Sequence, residues 1–424
     1  MEKKKVAYIV PDSPISPMGG MGVQSRYVMD GLKDDYDITF FGPDVDGHMM
    51  KGAMDGLGVS DLTTPHYAGK SPEEYSFKDQ SLYYGNPMYQ TMLTQPRIVS
   101  TVINYYNKMG GKPDLIHSND WSTSIASYEL SKFYKIPNAM QWHLIFSDMA
   151  HTLNRVIKDS KITPEATQIM DQVEVIERAL MKKAYCNIFV SKAMAVSFGL
   201  RYDKLMKSKI YHNGIPMDEF KDLKKVKFPD QKRGEFKLLY CGRIANMKGI
   251  LPLLKAVQDQ KFHKKVKLYC LSGRKGSDTP ATYWFEDAVN TGAITWIGEI
   301  QGKERFDFMH SADAMIVPSL YEPFGIVPLE ALACGTPLIS SFEGGMSEFL
   351  TEKCAVKCEV SPEGIVDAVE KVRKMGRRQK KKMILEGLKV AKSYDWPNRI
   401  PDMKKIWDDC INSHEEWTKH DKNN

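Results

Sequence analysis

Two glutamates, Glu322 and Glu330, stand on either side of a Pro-Phe-Gly turn in YEPFGIVPLEALACGTPLI, residues 321–339. The apolar run AMIVPS at 314–319 reads as a strand before them, and Gly335 and Pro337 stop the helix that follows. This is a βαβ unit whose loop lies at the carboxyl end of a parallel strand, where open α/β sheets bind ligands. A helix N-terminus there offers free N–H groups and partial positive charge to a phosphate. With a helix start near Val327, Glu330 falls in the first turn, placed to accept hydrogen bonds from the hydroxyls of a ribose. Glu322, in the loop, can approach a group in transfer, where an anion stabilises developing positive charge. The alternative is a pair of capping or solvated acids, against which the Pro-Phe-Gly turn and the small-residue helix stop both weigh.

A second loop carries cations. In GRIANMKGI, residues 242–250, a strand ends at Gly242 and a helix begins near Lys248, so Arg243 and Lys248 flank one strand-to-helix connection. Two cations at a helix start make a diphosphate site able to neutralise a leaving nucleotide without a metal. Near the N-terminus, Gly19 and Gly20 in MGGMG let the backbone approach a ligand ahead of the first helix. They follow a Pro- and Ser-containing loop and not a strand directly, and position 25 is Ser, so the dinucleotide fingerprint is not met and no nicotinamide cofactor is expected. His143 in QWHLIFSD closes a strand at the cleft-facing end of the first half, where both a structural and a functional role stand open. No metal site is expected: DYD at 35–37 and DVD at 44–46 read as solvated loops, and Cys354 and Cys358 have no second ligand pair nearby.

The elements that must position these residues alternate between β-rich runs and helical periods along 424 residues, too many for one core. The first half has strands at 5–10, 36–42, 114–119, 139–144, 187–191 and 209–213, and a helix opened by Thr163 and Pro164. A polar stretch with two prolines, 214–236, is the linker. Strands resume at 237–242, 266–273, 294–298, 314–319, 337–341 and 355–360. The expected domains are therefore 1–215 and 237–395, facing across a cleft. The interval 46–95 lacks periodicity and is expected to shape the acceptor side. The net charge of +6 is spread along the chain, and the knot GRRQKKK at 376–382 reads as a solvated helix end, without the interleaved aromatics of a nucleic-acid surface. No apolar run is long enough to cross a bilayer, the N-terminus has no signal-peptide core, and the seven cysteines sit in apolar runs; a cytoplasmic location is expected.

The stretch EPFGIVPLEALACGTPLI resembles the E-x7-E signature of retaining nucleotide-sugar glycosyltransferases of the GT-B fold, the group that includes glycogen and starch synthases. Segments DLIHSNDWSTSIAS, FVSKAM, YHNGIPMDEF, YCGRIANMKGI and EGGMSEFL agree with it in order, so the likeness spans nearly the whole chain. It implies an α/β fold of two doubly wound domains, with a final helix at 396–424 crossing back onto the first. It also implies transfer of a hexose, glucose above all, from ADP- or UDP-glucose to a hydroxyl acceptor with α-glucan elongation favoured, and no cofactor. By the same likeness His143 contacts the donor sugar, and Asp120, Trp121 and Asn213 line its pocket with Phe324, Gly325, Ile326 and Val327. Gly19 and Gly20 would meet the donor phosphate or sugar. Two departures bear on the acceptor. The Lys-x-Gly-Gly-Leu-x-Asp of those synthases is replaced by Pro17-Met18-Gly19-Gly20-Met21-Gly22-Val23, and Phe324 stands where they often have cysteine. A retaining transferase with a small-molecule, lipid-linked, protein or nucleic-acid acceptor is therefore the alternative, followed by a nucleotide-sugar epimerase or a non-catalytic nucleotide-sugar binder. Donor base, acceptor and oligomeric state are not fixed by the sequence.

Overall fold

The computed structural model describes residues 2–11, 20–43, 58–62, 87–156, 164–202, 208–258, 262, 265–272 and 279–413. The first half of the chain forms β1 (Lys4–Ile9), α1 (Gly20–Leu32), β2 (Tyr36–Pro43), β3 (Gly58–Leu62), α2 (Pro87–Met109), β4 (Leu115–Asn119), α3 (Trp121–Tyr134) and β5 (Asn138–Trp142). It continues with α4 (Phe146–Val156), α5 (Pro164–Lys183), β6 (Cys186–Phe189), α6 (Lys192–Tyr202) and β7 (Ser208–Ile210). The second half forms β8 (Phe236–Cys241), α7 (Ile250–Val257), β9 (Val266–Leu271), α8 (Thr279–Asn290), β10 (Ile294–Gly298), α9 (Gly302–Ser311), β11 (Ala314–Val317) and α10 (Ile326–Ala333). It ends with β12 (Leu338–Ser340), β13 (Val356–Lys357), α11 (Pro362–Lys374), α12 (Arg377–Ser393) and α13 (Trp396–Asn412).

These strands make two wholly parallel sheets. One runs β3-β2-β1-β4-β5-β6-β7, the other β10-β9-β8-β11-β12-β13. Central strands such as LIHSN and AMIV are buried along their whole length, as helices on both faces require. In each sheet the winding direction reverses at one place, between β1 and β4 and between β8 and β11, and such switch points open a crevice at the strand carboxyl ends. Sequence reasoning missed β3, which pairs in parallel with β2 inside the stretch read as aperiodic. That stretch otherwise falls at 46–57 and 63–86, outside the described residues, apart from the start of α2.

The linker leaves β7 and crosses once. At Ile215 it meets the return crossing: the Ile215 N–H donates to the Tyr394 carbonyl at 2.8 Å and the Trp396 N–H donates to the Ile215 carbonyl at 3.2 Å. α13 then lies on the first sheet, against α1. Its Trp407, fully buried, donates its indole N–H to His117 Nδ1 at 3.0 Å. His117 Nε2 faces Gln141 Oε1 at 3.2 Å, and Tyr8 stacks on the imidazole at 4.5 Å. Burial pushes His117 down to about 3, so the ring is neutral, accepts at Nδ1 and donates at Nε2. All seven cysteines are buried, and none forms a disulfide. Among the described residues no helix is long and apolar enough to cross a membrane.

Trp407→Ala removes this plug and orphans the His117 acceptor. It should destabilise the protein by about 3–5 kcal/mol in denaturant unfolding; a loss below about 1 kcal/mol would contradict the docking role assigned to α13.

Candidate active site

At the switch point of the second sheet two loops meet. The first, between β8 and α7, carries Arg243 and a short 3-10 turn, Asn246–Lys248. The second, between β11 and α10, carries Glu322. The backbone locks them together, because the Met247 carbonyl accepts from the N–H groups of Leu320 and Tyr321 at 2.8 and 3.1 Å. Within that frame Glu322 Oε2 accepts from Lys248 Nζ at 2.7 Å and from Ser319 Oγ at 3.1 Å. Arg243 is exposed beside them, its carbonyl held by the buried Tyr240 hydroxyl at 2.7 Å.

The Glu322 loop is pinned from the other side as well. The Gly345 N–H donates to the Glu322 carbonyl at 3.0 Å. Gly344 has φ +57°, and a Cβ there would lie 2.1 Å from that same carbonyl oxygen, so only glycine fits. The small residues of EGGMSEFL are thus explained by a backbone that lies against the Glu322 turn.

α10 begins at Ile326 with Gly325 as its cap and no side chain capping it. Its first N–H groups, on Ile326 and Val327, are those a helix leaves without an internal partner, and they suit an anion. Because the helix starts at Ile326, Glu330 falls in the second turn and not the first. Glu330 is buried; Oε1 accepts from Arg305 Nη2 of α9, while Oε2 has no partner among the described residues. The carboxylate beside Arg305 raises the guanidinium above its ordinary range despite burial, which opposes it. Arg305 was not singled out in the sequence, since only helix packing brings it to Glu330.

Phe324 is a correction. Its ring is 2 % exposed and packs among His212, Phe349 and Tyr394 at centroid distances of 5.6, 5.6 and 5.8 Å. An aromatic ring so enclosed cannot line a sugar pocket, and only its backbone is available for that.

The first domain brings its own residues to the cleft. A Cβ on Gly20, at the start of α1, would lie 2.6 Å from Ile326 Cδ1, so the two helix N-termini approach directly across the cleft. Gly19 lies outside the described residues. His143 follows β5, half-buried, with Nε2 at 2.9 Å from Asn119 Oδ1, and desolvation pushes its ring down to about 3. Asp120 is buried and accepts from the N–H groups of His143 and Leu144 at 2.6 and 3.1 Å, so it supports the histidine loop. Trp121, half-buried, packs on the core that runs between the domains, and Asn213, 5 % exposed, has an Oδ1 with no partner among the described residues. α4 packs against the turn bearing Lys248, which brings the histidine loop and the cation loop to the same cleft. Glu348 of the second domain reaches into the first, accepting from His212 Nε2 at 2.9 Å and the Ala193 N–H at 2.8 Å. Among the described residues no group of three His, Cys, Asp or Glu side chains is placed to hold a metal ion.

Two Rossmann-like parallel sheets, each with one switch point, make a GT-B-like α/β fold. Residues 222–389 match the family model Glycosyl transferases group 1, and the chain is similar at modest identity to glycogen synthase and, in fold, to solved GT-B-like proteins. It is 25 % identical over 296 residues to a glycogen synthase of Mycobacterium tuberculosis, a match covering 66 % of this chain and 64 % of that one. An uncharacterized glycosyltransferase of Methanocaldococcus jannaschii is 24 % identical over 365 residues, 82 % of each chain. In fold, the chain is similar to the sucrose-phosphate synthase of Thermosynechococcus elongatus, with a TM-score of 0.77 at 19 % identity, covering 97 % of this chain and 100 % of that one.

Glu348→Ala severs the carboxylate that caps α6 from the opposite domain. Amide exchange in the first turn of α6 should quicken by at least about tenfold; unchanged protection there would show that the contact does not hold the domains together.

Proposed function

We propose that this chain is a retaining glycosyltransferase that moves a hexose, glucose, from a nucleoside diphosphate sugar to a hydroxyl acceptor, with ADP- or UDP-glucose as donor. The observation that carries the reading is the Glu322–Lys248 pair, held at the switch point beside Arg243 and the open N-terminus of α10. The donor diphosphate lies between Arg243, Lys248 and the α10 N–H groups, with the Gly20 backbone closing over it. Glu330 Oε2, buried and without a partner among the described residues, takes a ribose hydroxyl.

In the reaction the bond from the anomeric carbon to the diphosphate oxygen breaks while the acceptor oxygen bonds to that carbon on the same face. The acceptor proton passes to the departing phosphate oxygen. Arg243 and Lys248 take up the charge of the leaving group, so no metal is required. Glu322 stabilises the cationic character growing on the sugar, and neutral His143 holds the sugar by hydrogen bonding. Contact between the domains excludes water that would hydrolyse the donor.

An α-glucan is the favoured acceptor, supported by the likeness to glycogen synthase. A non-glucan acceptor is the second reading, supported by the missing lysine and aspartate at 17–23. Buried cysteines without disulfides support a reducing, cytoplasmic setting.

Glu322→Ala should lower turnover by at least about a hundredfold without weakening nucleoside diphosphate affinity; unchanged turnover would defeat the assignment. Replacing Arg243 and Lys248 together by alanine should weaken nucleoside diphosphate binding by at least about tenfold in calorimetry. Equal affinity would remove the phosphate site from this loop.

A further inference from the structure

We propose that Glu177, a buried carboxylate on α5, is a positioning residue for His143, fixing through three hydrogen bonds the loop that carries the imidazole at the cleft. The inference rests on the transfer reaction proposed above. α4 begins at Phe146, directly after that loop, and its first N–H groups need partners from outside the helix. The residue before it is Ile145, whose side chain is fully buried in the core and offers no cap. Glu177 supplies one from α5. Its Oε1 accepts from the Phe146 N–H at 2.7 Å, and its Oε2 accepts from the Ser147 N–H at 3.1 Å and the Ser147 hydroxyl at 2.6 Å.

Asp120 does the same at the other end of the loop, accepting from the N–H groups of His143 and Leu144. The loop is therefore clamped at both ends by buried carboxylates, Glu177 at 0 % exposure and Asp120 at 7 %. Helix stability alone would be met by a local Ser, Asp or Asn at 145, at far smaller desolvation cost. Burial pushes both Asp120 and Glu177 up to about 7, against the hydrogen bonds that draw them down. What this costly arrangement adds over a local cap is position. It fixes where β5 ends and α4 begins, the point from which His143 projects, and α4 leans on the turn that bears Lys248. Slack at Phe146 would move the imidazole relative to the cations of the second domain.

The test is a double-mutant cycle of Glu177→Gln with His143→Ala, read by turnover, by calorimetry with UDP and ADP, and by NMR of the His143 ring. Glutamine keeps the size of the side chain but turns an NH2 toward an N–H donor, so the loop must shift. We expect Glu177→Gln to lower kcat by about ten- to a hundredfold, to leave nucleotide affinity within about twofold, and to move the His143 ring resonances. Adding it to His143→Ala should slow the enzyme no further than about threefold, because the two act as one unit. Full turnover in Glu177→Gln, losses that multiply with those of His143→Ala, or an unmoved His143 ring would each overturn the proposal. If His143→Ala turns over like the wild type, the histidine assignment fails and the inference falls with it. A wild-type chain with no transfer on any donor would sink the reaction instead, and the ring resonances alone would then decide whether Glu177 positions His143. Should Glu177→Gln not fold, Glu177→Asp, which keeps both oxygens but retracts them by one methylene, is read in the same way.

Discussion

The parallel bridge between Ile215 and the 394–396 segment holds the rest of the molecule in place. Two chain crossings, far apart in sequence, hydrogen-bond to each other where they pass between the domains. Gly214 makes room for this, since a Cβ there would lie 2.6 Å from the Trp396 indole, and Tyr27 of α1 stacks on that indole at 5.1 Å. Two crossings tied side by side restrain the sheets far more than one flexible linker would, and they keep both switch points turned toward one cleft. An apolar core continuous between the domains, with Trp142 and Ile145 from the first and Met315 and Phe324 from the second, reinforces the same arrangement.

Charge in the cleft is arranged around that frame. Lys248 is neutralised by Glu322, whereas Arg243 stays exposed. A diphosphate arriving at α10 therefore meets one cation at once and competes with a carboxylate for the other. The carboxylate left behind is then free to face a sugar carrying partial positive charge. Glu330 is held differently, by Arg305, so one oxygen is fixed while the other is buried and without a partner among the described residues.

Much of this was legible in the sequence, for a physical reason: doubly buried parallel strands must be continuous apolar runs, and loops at their carboxyl ends must turn in few residues. Hence β8, β11 and the loops bearing Arg243, Lys248 and Glu322 could be read directly. The edge strand β3 could not, because GVSDL carries Ser and Asp and needs only one neighbour. The supports of the site were hidden for another reason. Arg305, Glu177 and Glu348 reach their partners through helix packing and across the domain boundary, and no local spacing encodes such meetings. For Phe324 the resemblance implies a place in the sugar pocket, whereas three other rings enclose its side chain. Asp120 was read as lining a pocket; the structure shows it accepting from the backbone of His143 and Leu144.

The return of α13 to the first sheet also has a consequence for how the protein is made. Tyr8 and His117 belong to strands synthesised early, yet the surface that covers them arrives with Trp407, after the whole second domain has been translated. The amino-terminal half must therefore leave the ribosome with an unfinished core, an apolar face open to solvent or to a chaperone. Its completion waits on α13, translated only after the second domain.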